Sequence, residues 1–271
     1  WVFRAAYNHS ITRPTLEQMA PGVTYTTTRQ GGDLRARIGN AQLLPFEAKN
    51  IDLAIEHYYQ ENSYISAGYF RKTVDNFIVN ESSTQTFNNV TDPSTGTDPN
   101  AVDDADALAR FSVISPSNGE SATVEGVEIA VQHLFGESGW GVQANASFVD
   151  SNAELDTANI RSTFALTGLS GAKNMVLFYE KNALQWRVAW NQREGFLQSL
   201  NQTQSTEPTF VSPYKQWDMS LSYQFSPRVS VFFEGINITN ETVHKRGRFS
   251  NHLLLVQDAG ARYALGVNIT Y

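Results

Sequence analysis

The sequence predicts an all-β fold, specifically an antiparallel transmembrane β-barrel segment of about ten strands. Three observations predict it. Apolar and polar residues alternate along many stretches, the connections alternate between long and short, and aromatic residues gather beside the short connections. Alternation sends successive side chains to opposite faces of a strand. A tilted strand of about ten such residues crosses a bilayer with its apolar face toward lipid and its polar face toward a wet lumen.

The composition is compatible with this fold and excludes several function classes. Of the 271 residues, 41% are hydrophobic and 17% are charged, and the formal net charge is -7. The chain contains no run of about 18 apolar residues, which excludes helical membrane spans. The acidic balance disfavours nucleic acid as a partner. Because the chain has no cysteine, it has neither disulfides nor thiolate metal sites.

Strands are predicted wherever the alternation is sustained. The first begins at once, with Trp1 and Phe3 on one side and Arg4 on the other. No Met, basic region or apolar leader precedes it, so we expect the N-terminal part of the protein to lie outside this sequence. The last strand places Leu265 and Val267 on its apolar side. The predicted strands cover residues 1–10, 51–59, 63–78, 122–135, 139–149, 173–180, 183–193, 216–225, 229–233 and 261–271.

The connections follow a strict order of long and short. Tight turns are predicted at residues 60–62, 136–139, 181–182 and 226–227. The long connections are predicted to be loops because they lack a sustained period and several are rich in Pro, Gly and Thr. They cover residues 12–47, 80–120, 150–172, 195–214 and 239–259. Irregular loops of this length count against a compact soluble domain but are expected on the outer side of an outer-membrane barrel.

The strand over residues 183–193 shows most clearly why a wet lumen is needed. Its apolar row opposes a polar row that includes Gln185, Arg187 and Asn191. Burying such a row in a dry core costs on the order of 1 to 3 kcal/mol for each unpaired polar group. A water-filled lumen removes this cost, so the polar row is predicted to face inward.

Aromatic residues supply the third observation, because they lie where strands meet short turns. Tyrosine and tryptophan concentrate at bilayer interfaces, since their amphipathic rings suit the depth of the lipid headgroups. The pattern therefore predicts one edge of a membrane-spanning band. The residues concerned are Trp1, Tyr58, Tyr59, Phe135, Trp140, Tyr179, Phe225 and Tyr271.

Several segments, taken in order, resemble the C-terminal half of TonB-dependent outer-membrane receptors. These segments are residues 12–21, 39–45, 50–59, 68–78, 126–132 and 233–240, together with the aromatic C-terminus. The resemblance implies a 22-stranded barrel with an N-terminal plug, of which residues 1–271 would be the last part of the wall. It also implies that the plug, the N-terminal strands and the region that binds TonB lie outside this sequence.

No motif for catalysis, cofactor binding or metal binding is found, so the protein is predicted not to be an enzyme and to hold no cofactor. Nucleophile elbows, glycine-rich phosphate loops and zinc-protease motifs are absent. The five histidines are scattered, without a pair at ligand spacing. An acidic loop, with Asp103, Asp104 and Asp106, lacks the spacing of an EF-hand and is expected to be a solvated loop.

The candidate ligand-binding residues therefore belong to the polar row and to the outer loops. Arginine side chains can receive anionic groups, although inward Arg and Glu can equally pair with each other and with a plug. Aromatic loop residues can stack on sugar rings or pack the loops together. The lumen candidates are Arg4, Glu56, Gln185, Arg187, Asn191 and Arg193, and the loop candidates are Tyr25, Phe111, Phe196 and Tyr214.

The function that the resemblance implies is uptake of a scarce nutrient across the bacterial outer membrane, powered by TonB. An oligosaccharide is the first expected ligand and a ferric siderophore the second. The expected partners are outer-membrane lipid, the plug of the full-length protein and TonB, with no role for nucleic acid. Two alternatives stay open, namely a small passive porin-like barrel and a soluble β-sandwich binding module.

Overall fold

The computed structural model describes residues 1–25, 34–92, 95, 97, 107–119, 121–158, 165–200 and 207–270. The acidic cluster at Asp103, Asp104 and Asp106 lies outside the described residues, as does Tyr271. The chain divides into two compact units. One comprises residues 1–8, 49–73 and 123–271, and the other comprises residues 9–48 and 74–122.

Within the described ranges the chain forms one short helix and eighteen strands. The helix α1 spans Leu16–Met19, and Thr15 caps it by accepting a hydrogen bond from the Gln18 backbone. The strands are β1 (Val2–Thr12), β2 (Val23–Tyr25), β3 (Leu34–Ile38), β4 (Phe46–Gln60), β5 (Ser63–Asp75), β6 (Ile78–Thr91), β7 (Leu108–Asn118), β8 (Ala122–Leu134), β9 (Trp140–Ser151), β10 (Ala172–Lys181), β11 (Leu184–Arg193), β12 (Phe196–Ser199), β13 (Thr209–Val211), β14 (Tyr214–Ser226), β15 (Val229–Ile236), β16 (Val243–Arg246), β17 (Leu253–Gln257) and β18 (Arg262–Ile269).

Ten of these strands form the main sheet, in the order β1-β4-β5-β8-β9-β10-β11-β14-β15-β18. The predicted all-β fold with about ten strands is therefore confirmed. The register keeps like side chains together across neighbouring strands. Val188 of β11 lies opposite Leu177 of β10 and Met219 of β14, so apolar rows run across the sheet as well as along each strand.

One face of the main sheet is apolar, and none of the described residues forms a second layer over it. Leu265 is 77% exposed, and its neighbours Val267 and Ile269 on the same face of β18 are also exposed. A soluble β-sandwich would bury such a row against another sheet. We call this surface the apolar face, and the opposite surface of the main sheet the polar face.

The short turns form where the sequence predicts them, and asparagine makes two of them possible. Asn62 and Asn182 adopt positive φ angles of 57° and 56° at the tips of the β4–β5 and β10–β11 hairpins. Asparagine tolerates this left-handed conformation better than most residues because its short side chain can bond locally.

Five long connections were predicted to be irregular loops, and this prediction is wrong for four of them because they contain strands. Residues 12–47 and 80–120 contribute a small sheet in the order β2-β3-β7-β6, and residues 195–214 and 239–259 contribute another in the order β12-β13-β16-β17. Their strands are short, or rich in Ser, Thr and Asn, and therefore show no sustained apolar face in the sequence. Pairing of backbone groups holds them together, as in the long antiparallel ladder between β6 and β7.

In the described part of the chain, no helix is long and apolar enough to cross a membrane.

Candidate functional site

Four amide side chains line up across neighbouring strands on the polar face. Asn174 of β10 is opposite both Asn145 of β9 and Asn191 of β11, and Asn191 is opposite Gln216 of β14. The amide nitrogen of Asn174 donates to the Asn145 oxygen at 2.8 Å. We call these four residues the amide row. Since strands lie about 4.8 Å apart, the row extends over roughly 14 Å. It offers donors and acceptors without charge.

Two further sequence-predicted residues, Gln185 and Arg187, line a cleft on the polar face nearer the short turns. The cleft has a volume of about 680 Å³. The Gln185 amide donates to the Glu180 carboxylate at 3.2 Å. Glu180 and Glu234 both line the cleft, which therefore presents one guanidinium and two carboxylates. Such a surface can bind a ligand or protein group that carries charges of both signs.

Sequence reasoning missed two aromatic residues of this cleft. Phe178 and Phe232 lie among the polar side chains that line it. Each is opposite a glycine on the neighbouring strand, Gly141 for Phe178 and Gly266 for Phe232. The sequence provides no signal for these two residues, because an apolar side chain in a polar row only weakens the apolar and polar alternation. The glycine beneath each ring is on another strand and is identified only by the cross-strand register.

Arg4 and Glu56 pair with each other on the polar face. The Arg4 guanidinium forms an ion pair with one carboxylate oxygen of Glu56. The Tyr58 hydroxyl donates to the other oxygen at 2.7 Å. The Glu56 side chain is 19% exposed, so its charge is largely satisfied by these two neighbours. The pair therefore links β1 to β4.

Near the long connections, Arg193, Phe196 and Tyr214 each have a partner. The Arg193 guanidinium lies 4.7 Å from the centre of the Phe196 ring and covers one side of it. The Tyr214 hydroxyl donates to Gln216 at 2.8 Å, and the Gln216 amide donates to Asp218 at 2.7 Å. This chain connects Tyr214 to the amide row.

Phe196 also lines a second cavity, of about 690 Å³, beside the small sheet β12-β13-β16-β17. A second aromatic ring, Phe210, lines it under the guanidinium of Arg246, at 4.7 Å from the ring centre. Carboxylates of Asp150, Glu154 and Glu194 complete the charged part of the wall. The cavity combines apolar and acidic surface.

The prediction that Phe111 is a ligand-binding loop residue is corrected by the structure, because its ring is not accessible to a ligand. Its side chain is only 1% exposed and lies in the core of the sheet β2-β3-β7-β6 with Ala36 and Val113. Tyr25 contacts its ring edge-on at 5.9 Å, while remaining 50% exposed itself. The aromatic character that suggested stacking on a sugar stabilises the small sheet at this position.

No group of three or more His, Cys, Asp or Glu residues is arranged to hold a metal ion within the described ranges.

Comparison with known proteins identifies the family. A family model described as TonB dependent receptor-like, beta-barrel matches residues 1–238. No curated protein sequence matches the chain. The family match extends over most of the chain, from the first strand to the end of β15.

Solved structures with a similar fold include siderophore receptors and a copper transporter. The siderophore receptor PirA from Acinetobacter baumannii has a TM-score of 0.64 at 16% identity, over 99% of this chain and 39% of that one. A mutant ferric enterobactin receptor from Pseudomonas aeruginosa, in complex with enterobactin, has a TM-score of 0.64 at 16% identity, over 98% and 38%. The copper transporter OprC has a TM-score of 0.58 at 11% identity, over 99% and 37%.

At these identities the likeness shows the fold alone, and this chain spans about two fifths of each solved chain. The family match and the fold agree with each other and with the order of strands in the main sheet. The chain therefore belongs to the TonB-dependent receptor β-barrel family.

Proposed function

We propose that this chain is the C-terminal wall segment of an outer-membrane receptor that takes up a scarce nutrient with energy supplied through TonB. The observation that carries the proposal is the two-faced main sheet in a chain of this family. Its apolar face is exposed along whole strands, as at Leu265, while its polar face carries the amide row and the cleft around Arg187. A lipid phase on one side and a wet lumen on the other account for both surfaces.

The partners follow from this placement. Residues 1–271 would form the last part of a 22-stranded barrel, and the plug of the full-length protein would fill its lumen. Cleft residues Arg187, Glu180 and Glu234 supply charges of both signs for contact with the plug. TonB would engage a region outside this sequence.

A ferric siderophore is our first candidate ligand. The solved structures that resemble this chain include a siderophore receptor and a ferric enterobactin receptor in complex with enterobactin. The resemblance put an oligosaccharide first, but two of the loop aromatics that could stack on a sugar do not favour it, because Phe111 is buried and Phe196 is covered by Arg193. The oligosaccharide is kept as the second candidate because the uncharged amide row suits hydroxyl groups.

Growth and binding experiments on the full-length receptor separate the two ligands. A deletion strain should grow poorly when a ferric siderophore is the sole iron source and normally on oligosaccharides. Binding of an anionic chelate should weaken in Arg187→Gln but not in the control Arg228→Gln, whose exposed side chain lies at the β14–β15 turn. If the deletion strain grows normally on every ferric chelate but fails on an oligosaccharide, the ligand is the oligosaccharide and not the siderophore. Unchanged growth on both would contradict the uptake role.

A further inference from the structure

The second cavity, of about 690 Å³, lies at the long-connection ends of β9, β10 and β11. One of its walls is the described part of the β9–β10 connection, which backbone hydrogen bonds hold in place. The Leu166 N–H donates to the Ala153 carbonyl at 3.0 Å, and the Gly168 N–H donates to the Leu197 carbonyl at 2.8 Å. Ala153 and Leu197 are buried. The cavity is therefore enclosed by fixed elements, and its volume is that of a small-molecule pocket.

Two aromatic rings and several aliphatic side chains form the apolar part of the cavity. Phe196 of β12 and Phe210 of β13 both line it. These strands are paired, with Leu197 opposite Phe210. The aliphatic side chains are those of Leu155, Leu166, Leu169, Leu197 and Val211. An apolar group placed against these side chains is removed from water, which favours its binding.

The one positive charge among the described residues that line the cavity is already held by its neighbours. The Arg246 guanidinium lies 4.7 Å from the centre of the Phe210 ring and donates to the Gly247 carbonyl at 3.2 Å. The Glu194 carboxylate is also paired, with the Lys173 ammonium at 3.4 Å. Both charged groups are therefore engaged within the chain.

The other two carboxylates of the wall lack such partners. Asp150 and Glu154 line the cavity, are exposed, and form no ion pair with a described residue. Carboxylates form strong, charge-assisted hydrogen bonds with ammonium and guanidinium groups. A cleft lined by an excess of one charge also attracts ligands of the opposite charge. The cavity therefore favours a cation and disfavours an anion.

We propose that the second cavity binds an organic cation, with one ammonium or guanidinium group on an apolar body. The charged group is bound by Asp150 and Glu154, and the apolar body lies against Phe196, Phe210 and the aliphatic side chains. This site goes beyond the proposed function, because an anionic ferric chelate and a neutral sugar both lack the positive charge that it recognises. The receptor would then bind two ligands of different charge at separate places.

Isothermal titration calorimetry on the purified full-length receptor tests the site. The probes are benzylguanidinium, phenylacetate, which carries a negative charge on a similar body, and guanidinium, which lacks the body. Asp150→Asn combined with Glu154→Gln removes the two charges, and Leu169→Trp fills the cavity. The matched control is Glu61→Gln combined with Glu137→Gln, which removes two exposed charges at the short turns. Heat-modifiable mobility on a gel shows that each variant is folded.

The Kd of benzylguanidinium should rise roughly tenfold in the Asp150 and Glu154 double variant, because a hydrogen bond to a charged group contributes about that factor. Leu169→Trp should also weaken binding, whereas the control should not. Guanidinium should bind much more weakly than benzylguanidinium, and phenylacetate should not bind. If Leu169→Trp does not fold, the double carboxylate variant still decides the question.

Three results would overturn the proposal. The first is equal affinity of wild type and the double carboxylate variant for benzylguanidinium, or no binding by either. The second is an equal loss in the control, which would show attraction by the net charge of the protein and not by this cavity. The third is binding of phenylacetate as tight as that of benzylguanidinium, which would show an apolar pocket without charge selection.

Discussion

Single side chains fasten connecting segments of this chain to one another, and Glu207 is an example. One carboxylate oxygen accepts the backbone N–H of Arg248 at 2.8 Å and lies 3.3 Å from Nδ1 of His252. The other lies 3.3 Å from the Arg248 guanidinium. The Arg248 backbone hydrogen bond, followed by the Arg248 charge and His252, lowers the pKa of Glu207. Glu207 therefore holds the β16–β17 hairpin against the segment before β13.

This contact predicts a pH dependence. A carboxylate whose pKa is lowered by folding stabilises the folded state above its unfolded pKa, and the contribution is lost as pH falls through the folded value. With an unfolded pKa of about 4.3, the contribution should be complete about one pH unit above that value and should shrink as the pH falls below it. Glu207→Gln should therefore lower the Tm of the full-length receptor at pH 5.5 and converge with wild type at acid pH.

The control for this prediction is Glu137→Gln, whose side chain is exposed in the β8–β9 turn. It should follow wild type across the same pH range. A Tm difference for Glu207→Gln that is as large at pH 3 as at pH 5.5 would show that the carboxylate charge is not the cause.

At the scale of strands, neighbouring elements of the main sheet are joined by phenylalanine rings lying over glycines. A Cβ atom added at Gly141 would lie 2.3 Å from Cζ of Phe178, and one added at Gly266 would lie 2.4 Å from Cζ of Phe232. At Gly126 the corresponding distance to Cζ of Phe70 is 2.6 Å. In each pair the ring covers the backbone of the neighbouring strand, and glycine is required because no side chain fits beneath.

Gly141→Ala should therefore destabilise the β9–β10 pair. Forcing an extra methyl group into a filled site typically costs about 1 to 3 kcal/mol. Urea unfolding of the full-length receptor in lipid vesicles would measure this loss. Combining Gly141→Ala with Phe178→Leu should recover part of it, because the smaller side chain clears the added methyl.

Gly22→Ala is the control for that experiment, because an added Cβ there meets nothing within 4 Å. Equal effects of Gly22→Ala and Gly141→Ala would mean that backbone freedom, and not the ring above, sets the cost.

At the scale of the whole molecule, the decisive property is which face meets lipid. On β11, Val188 lies on the apolar face. Gln185 lies on the polar face, where it lines the cleft with Arg187. Val188→Arg should cost on the order of 2 to 4 kcal/mol near the bilayer midplane, whereas Gln185→Arg should be tolerated. Folding yield and stability of the full-length receptor in vesicles would measure both. Equal tolerance at the two positions would contradict the assignment of the faces.

The sequence predicted the fold and the main-sheet strands because their periodicity is local. Alternation along β11 or β18 is visible without any knowledge of neighbours, and Asn62 and Asn182 mark turns by their own conformational preference. The long connections were predicted less well. Residues 80–120 contain β6 and β7, whose Ser- and Thr-rich ladder depends on pairing between distant segments.

For the candidate site, the sequence by itself determined that Gln185, Arg187 and Asn191 share one face of a strand, since side chains of alternate residues point the same way. Only the tertiary structure decided that Asn191 joins Asn145, Asn174 and Gln216 in one row, because cross-strand register is a long-range property. The tertiary structure also decided the role of Phe111. The sequence shows that this residue is aromatic, but its burial depends on strands that are distant along the chain.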